Sequence, residues 1–142
     1  MYTKQPTVYY GLMYLAKNAK KEVKIHTPYI ICNDYMYKEL KNIKVPTTIM
    51  TNSAENNGNI FGAVDYLNHK KDIINTGVTI KEYEGGISYH GKSMTIDDDI
   101  AIVGSFNMDM RSAYIDTELM LVINSKDINK QLKASMEEYE KK

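Results

Sequence analysis

The chain has 142 residues, a formal net charge of zero and ordinary hydrophobic (43%) and charged (25%) fractions, which predicts one globular domain over residues 1–142. The charge balance excludes a strongly basic nucleic-acid footprint, though not a local patch. Cys32 is the only cysteine, which excludes an internal disulfide and suits a reducing compartment.

No apolar run approaches the roughly 20 residues that a membrane span needs. Lys4 and Pro6 interrupt the N-terminus, so no signal peptide is read there. Residues 8–19 place apolar side chains at helical spacing. Residues 22–31, EVKIHTPYII, read as a strand with Pro28 near its end, and the flanking isoleucines mark Cys32 as a buried thiol. Asp34 is placed as the cap of a short helix through about Asn42. Residues 46–51 read as a second strand, and NSAENNGN as a turn-rich loop. Residues 60–75 predict a helix, with Gly77 where its C-cap is expected. Residues 78–84 read as a third strand. SYHGKSMTI and DIAIVGS follow as two strands joined at Asp97-Asp98-Asp99, where three acids make a solvated hairpin turn. ELMLVIN, 118–124, reads as a further buried strand, and the chain closes in a helix capped by Ser125 or Asp127. Strands alternating with helices, then adjacent strands, predict an α/β fold: a mixed β-sheet with helices on both faces.

The chemistry gathers in ISYHGKSMTIDDDIAIVGSFNMD, residues 87–109. On a strand, side chains two apart point the same way, so His90 and Lys92 are expected to project together. An imidazole beside a fixed ammonium suits attack on an anionic centre: the lysine neutralises phosphate oxygens while the histidine attacks or protonates. Gly91 between them is read as room for a ligand. A bare His-x-Lys is more often an incidental surface pair.

The longer pattern is more specific. His90-x-Lys92, then Asp97, then Gly104-Ser105-x-Asn107 resembles the HKD signature of the phospholipase D superfamily. Thr27-Pro28-Tyr29, Thr51-Asn52-Ser53, Gly77-Val78 with Glu82-Tyr83, and Asp109-x-Arg111-Ser112 with Glu118 resemble segments of the second half of bacterial cardiolipin synthases and related phospholipase-D-like proteins. The resemblance covers about residues 20–124. It implies a metal-independent phosphodiesterase or phosphatidyltransferase, without cofactor, working through a phosphohistidine. Two HKD motifs face each other: one histidine attacks phosphorus, and the other protonates the leaving alcohol and then activates the acceptor. His90 is thus read as nucleophile or acid/base, and because the first histidine of two-motif members is usually the nucleophile, the acid/base role is favoured.

The same resemblance sets the candidate residues. His90, Lys92, Asp97 and Glu118 form the catalytic set. Within it Asp97 is weighed toward a structural role, and Glu118 is the candidate carboxylate for orienting the His90 ring. Lys92 and Asn107 are to bind phosphate, Ser105 to bind phosphate or stabilise the turn, Gly104 to give the turn backbone freedom, and Asn52 to reach the rim. Arg111, the only arginine, either clamps a head group or pairs with Asp109 or Asp116. His26 is read as a satisfied core histidine and His69 as exposed. Nothing spaces the two with a third metal ligand.

One HKD motif stands where cardiolipin synthases have two. His69-x-Lys71 is followed by no Gly-Ser-x-Asn. The partner half-motif is expected either in cis, in a missing N-terminal half, or in trans through a homodimer, and the fragment reading is preferred. The expected substrate is a phospholipid, with a membrane surface as partner of the full protein and nucleic acid placed behind it. The expected location is cytoplasmic or membrane-associated. The competing functions are a homodimeric HKD endonuclease and an inactive half-domain that scaffolds its partner.

Overall fold

In the computed structural model, which describes residues 5–141 and so leaves Lys4 outside, the order is α1 (Thr7–Lys17), β1 (Val23–His26), β2 (Ile30–Ile31), α2 (Asp34–Lys41), β3 (Thr47–Asn52), α3 (Ile60–Asn75), β4 (Thr79–Tyr83), β5 (Ser93–Ile96), β6 (Ile100–Gly104), β7 (Met108–Asp109), α4 (Met110–Tyr114), β8 (Met120–Asn124) and α5 (Lys126–Glu140). Six strands form one sheet in the order β4-β3-β1-β5-β6-β8. β1, β3 and β4 run parallel, and β5, β6 and β8 continue antiparallel from β1.

Strand alternation sorts the faces. Val23 and Ile25, Ile49, Met94 and Ile96, and Ile102 join the main core with Leu12, Met13, Met36, Leu40 and Ile73 from α1, α2 and α3. The alternate residues Lys24 and His26 face α5, where they meet Glu137 and Glu140. Helices therefore cover both faces of a mixed sheet, the α/β architecture read from the sequence.

The structure departs from the sequence reading at particular residues. Residues 22–31 are two strands, because Pro28 has no N–H to extend a ladder. Thr27 Oγ1 instead accepts the Met108 N–H at 3.0 Å and donates to the Tyr29 carbonyl at 2.9 Å. β2 then pairs in parallel with β7 as a separate two-stranded sheet. Asn33, not Asp34, caps α2: its Oδ1 accepts the Met36 N–H, which leaves Asp34 as an acid in the first turn. Ser125 caps α5. β8 is an edge strand rather than a buried one, with Leu121 59% and Val122 47% exposed. Gly104 is needed for close approach: a Cβ there would stand 2.1 Å from the Leu119 carbonyl oxygen. The strand expected from residue 88 begins only at Ser93, so His90 and Lys92 lie in irregular chain just ahead of β5.

The pairing gathers the ends of β1, β3 and β6 and the start of β5 at one end of the sheet. The Asp97–Asp99 hairpin lies at the other.

Candidate active site

His90 is exposed, and Lys92 folds back onto it: the ammonium Nζ is 2.9 Å from His90 Nδ1 and donates to the His90 carbonyl at 3.0 Å. The two side chains meet as expected, but through loop geometry rather than a strand face. With Lys92 donating to Nδ1, a neutral His90 ring carries its proton on Nε2. The edge of Tyr29 faces the ring, centroids 6.5 Å apart. Burial lowers the Lys92 pKa, while the negative charges of Glu118 and Asp109 act against that shift.

Beyond Lys92 lies the Gly-Ser-x-Asn turn after β6. The Ser105 hydroxyl donates to Glu118 Oε2, and Ser112 Oγ donates to Glu118 Oε1 at 3.3 Å. Ser112 Oγ also accepts the Asn107 N–H at 3.2 Å. Asn107 Oδ1 is buried without a hydrogen-bond partner. Glu118 thus gives its carboxylate to two hydroxyls, and no hydrogen bond joins it to His90 among the described residues. In the structure its carboxylate holds Ser105 and Ser112 and keeps a negative charge near Lys92, rather than bonding the ring as read from the sequence. Glu118→Gln keeps the shape and removes that charge. Turnover of the assembled site is expected to fall about threefold to tenfold, the size of one partly screened charge interaction, with Tm unchanged. Parallel kinetics and thermal unfolding check this, and wild-type kinetics in the variant would remove Glu118 from the site.

Asp97 is not brought to His90. It lies beyond the far end of β5, a span of about 13 Å for four extended residues. There its carboxylate accepts backbone N–H groups of Lys20 (3.0 Å), Lys21 (2.7 Å) and Glu22 (3.1 Å). Asn52 does not reach a rim either: it is 1% exposed, and both ends of its amide are occupied. Its Nδ2 donates to the carbonyls of Tyr89 (2.8 Å) and Pro28 (3.2 Å), and its Oδ1 accepts from Tyr89 N (2.7 Å) and Asn56 Nδ2 (3.2 Å). Arg111 takes the second of its two readings, with Nε 3.1 Å from Asp116 Oδ1. Asp109 instead caps α4 through the Ser112 N–H at 2.7 Å.

His26 is a satisfied core histidine, 1% exposed, with Nδ1 3.1 Å from Tyr89 Oη and Nε2 3.0 Å from Glu140 Oε1. His69 is half-exposed on α3, beside the Asp65 carbonyl at 3.0 Å. Burial pushes the Cys32 thiol well above its ordinary pKa, so it is a packed side chain rather than a nucleophile. At Gly91 an added Cβ would stand 2.2 Å from Tyr89 Oη, so the missing side chain makes room for the Tyr89 ring. Tyr89 itself carried no signal in the sequence beyond standing next to His90.

A groove of about 520 Å³ opens beside His90, walled by Tyr83, Tyr89 and Tyr139. No three His, Cys, Asp or Glu side chains converge as a metal cluster among the described residues, and no helix of theirs is long and apolar enough to cross a membrane.

The family described as cardiolipin synthase, phospholipase D-like domain, matches residues 12–139. The chain is 31% identical over 131 residues to cardiolipin synthase 1 of Staphylococcus epidermidis, covering 90% of this chain and 26% of that protein. It thus spans about a quarter of the length of the curated relatives it matches. In fold it is similar to the phospholipase D family member Nuc of Salmonella typhimurium (TM-score 0.73, 18% identity, 92% of this chain and 84% of that one). It is also similar to phosphatidylserine synthase of Haemophilus influenzae (TM-score 0.69, 17% identity, 94% and 35%).

Proposed function

The chain belongs to the cardiolipin synthase, phospholipase D-like domain family, and from that premise we propose that it supplies one half of a metal-independent phosphodiester-transfer site acting on phospholipids at a membrane surface. The observation that carries the reading is the His90–Lys92 pair, an exposed imidazole with an ammonium 2.9 Å from Nδ1. Lys92 offers positive charge where phosphate oxygens gather charge in the transition state. Asn107, on the Gly-Ser-x-Asn turn, is the further phosphate donor in this reading, and Ser105 stays bound to Glu118.

A second HKD half, from another segment or a second copy, completes the chemistry. Its histidine attacks phosphorus, and the bond to the leaving alcohol breaks. His90, protonated on both ring nitrogens once Lys92 has turned to the phosphate, passes one ring proton to the departing oxygen and is left neutral. The neutral ring then takes the proton of water or an acceptor alcohol, whose oxygen attacks phosphorus as the phosphorus–nitrogen bond breaks. The tyrosine-walled groove has the volume of a small-molecule site. The endonuclease reading has less support: the net charge is zero, and the single arginine is paired with Asp116.

The test is turnover of bis(p-nitrophenyl) phosphate by this chain in EDTA. Turnover that persists and depends on dimer concentration assigns the second motif to another copy. A folded, inactive chain that becomes active with a second HKD half assigns it to a separate segment. Activity that needs an added metal ion refutes the mechanism.

A further inference from the structure

His90 has a weak hold of its own. It is exposed, outside any strand, and its ring is hydrogen-bonded to Lys92 alone among the described residues. A catalytic group held so loosely loses rate, because misplacement by about 1 Å can cost a hundredfold. The residues that hold it sit one position away.

We propose that Glu140, His26, Tyr89 and Asn52 form a buried brace that fixes the peptide carrying His90, and that all four are positioning residues for the phosphoryl transfer. The proposal rests on the reading of His90 given above.

The brace has two arms. The first is Asn52, whose amide holds both the N–H and the C=O of Tyr89 (2.7 and 2.8 Å). A neighbouring strand would make that pair of bonds; here one buried side chain makes it. The second arm runs through the Tyr89 side chain. Its Oη meets His26 Nδ1, and His26 Nε2 meets Glu140, which also binds Lys81 at 3.2 Å and lies 3.7 Å from Lys24. Burial lowers the His26 pKa more than Glu140 raises it, so the ring is neutral. The Glu140 carboxylate accepts the Nε2 proton, Nδ1 accepts the Tyr89 hydroxyl proton, and the hydroxyl has one direction. The Tyr89 ring lies across Gly91, and Tyr139 packs against it with centroids 4.8 Å apart. His90 is thus flanked on both sides by chain that Tyr89 controls. A buried histidine and glutamate behind a sheet would be costly as mere filling.

The test separates the brace from the chemistry. In the 142-residue chain, the nuclear Overhauser contact between the Tyr29 and His90 rings and the backbone order of His90 are measured by NMR. Tyr89→Phe and His26→Leu should weaken that contact severalfold and lower the order at His90. His26→Gln, which keeps an acceptor and a donor in the same sequence, should restore most of both. In whichever assembly turns over bis(p-nitrophenyl) phosphate, Tyr89→Phe should lower kcat about tenfold with KM within twofold. Wild-type ring contact in Tyr89→Phe and His26→Leu, or a loss confined to KM, overturns the proposal. If Tyr89→Phe loosens His90 while His90→Ala costs no turnover, the catalytic purpose of the brace is overturned together with the reading of His90.

Discussion

His90→Ala is expected to lower phosphodiester turnover of the assembled site at least about a thousandfold, within the range for loss of a positioned acid/base, while Tm moves by less than about 2 °C. The size of the first effect follows from the proton. Without the imidazolium proton the leaving alkoxide departs unprotonated, and without the neutral ring no base remains to activate the acceptor. The smallness of the second follows from exposure. The ring touches Lys92 and the edge of Tyr29 and fills no part of the core, so alanine leaves no cavity. Lys92→Met should cost about a hundredfold by removing charge from the phosphate oxygens. Turnover and thermal unfolding, measured on the same preparations, check both variants. A His90→Ala chain with residual turnover near wild type would remove His90 from the chemistry. A drop in Tm of more than about 5 °C would make the loss a folding effect instead.

The sequence carried the pairing of His90 with Lys92, but not the backbone that achieves it. SYHGKSMTI has the alternation of a strand, yet the ladder stops at Ser93, which pairs with His26. Beyond that point β1 turns away at Pro28, so no strand remains to pair with Tyr89. Asn52 takes its place, and a side chain replacing a strand leaves no periodic trace. The layering of the fold was legible because alternation in VKIH and SMTI reports which side is apolar. The partner of His26 was not, because Glu140 lies 114 positions away. Glu118 was read toward the histidine because the resemblance and its place at a strand start pointed there, and only packing decides which group receives it. Ser105 and Ser112 arrive first. Asp97 was the opposite case: a fixed position in a catalytic signature that serves the sheet.

Asp97→Ala is expected to destabilise the chain by about 2–4 kcal/mol without touching the His90 chemistry. Three backbone N–H groups at the entry to β1 converge on this carboxylate, and hydrogen bonds to a charged acceptor are among the stronger ones. Asp97 also has φ +52°, a left-handed conformation that aspartate and asparagine adopt more readily than alanine. Alanine therefore loses the acceptor and the turn preference together. Asparagine keeps the turn and one acceptor oxygen, so Asp97→Asn should lose less, about 1–2 kcal/mol. At roughly 3 °C per kcal/mol for a chain of this size, the alanine variant should melt about 6–12 °C lower. The pH dependence separates the charge from the turn. Burial raises the Asp97 pKa, but the N–H groups of Lys20, Lys21 and Glu22 outweigh it, so the folded value lies below the ordinary carboxylate value. A depressed folded pKa gives stability that is fully present above the unfolded value of about 4 and is lost as pH falls through the folded pKa. The gap in Tm between wild type and Asp97→Asn should therefore be widest at neutral pH and narrow as the pH falls from about 4 through the folded pKa. A gap that stays constant across that range would assign the effect to the turn alone. A loss of turnover in folded Asp97→Asn would return this residue to the catalytic set, from which its place at the far end of β5 removes it.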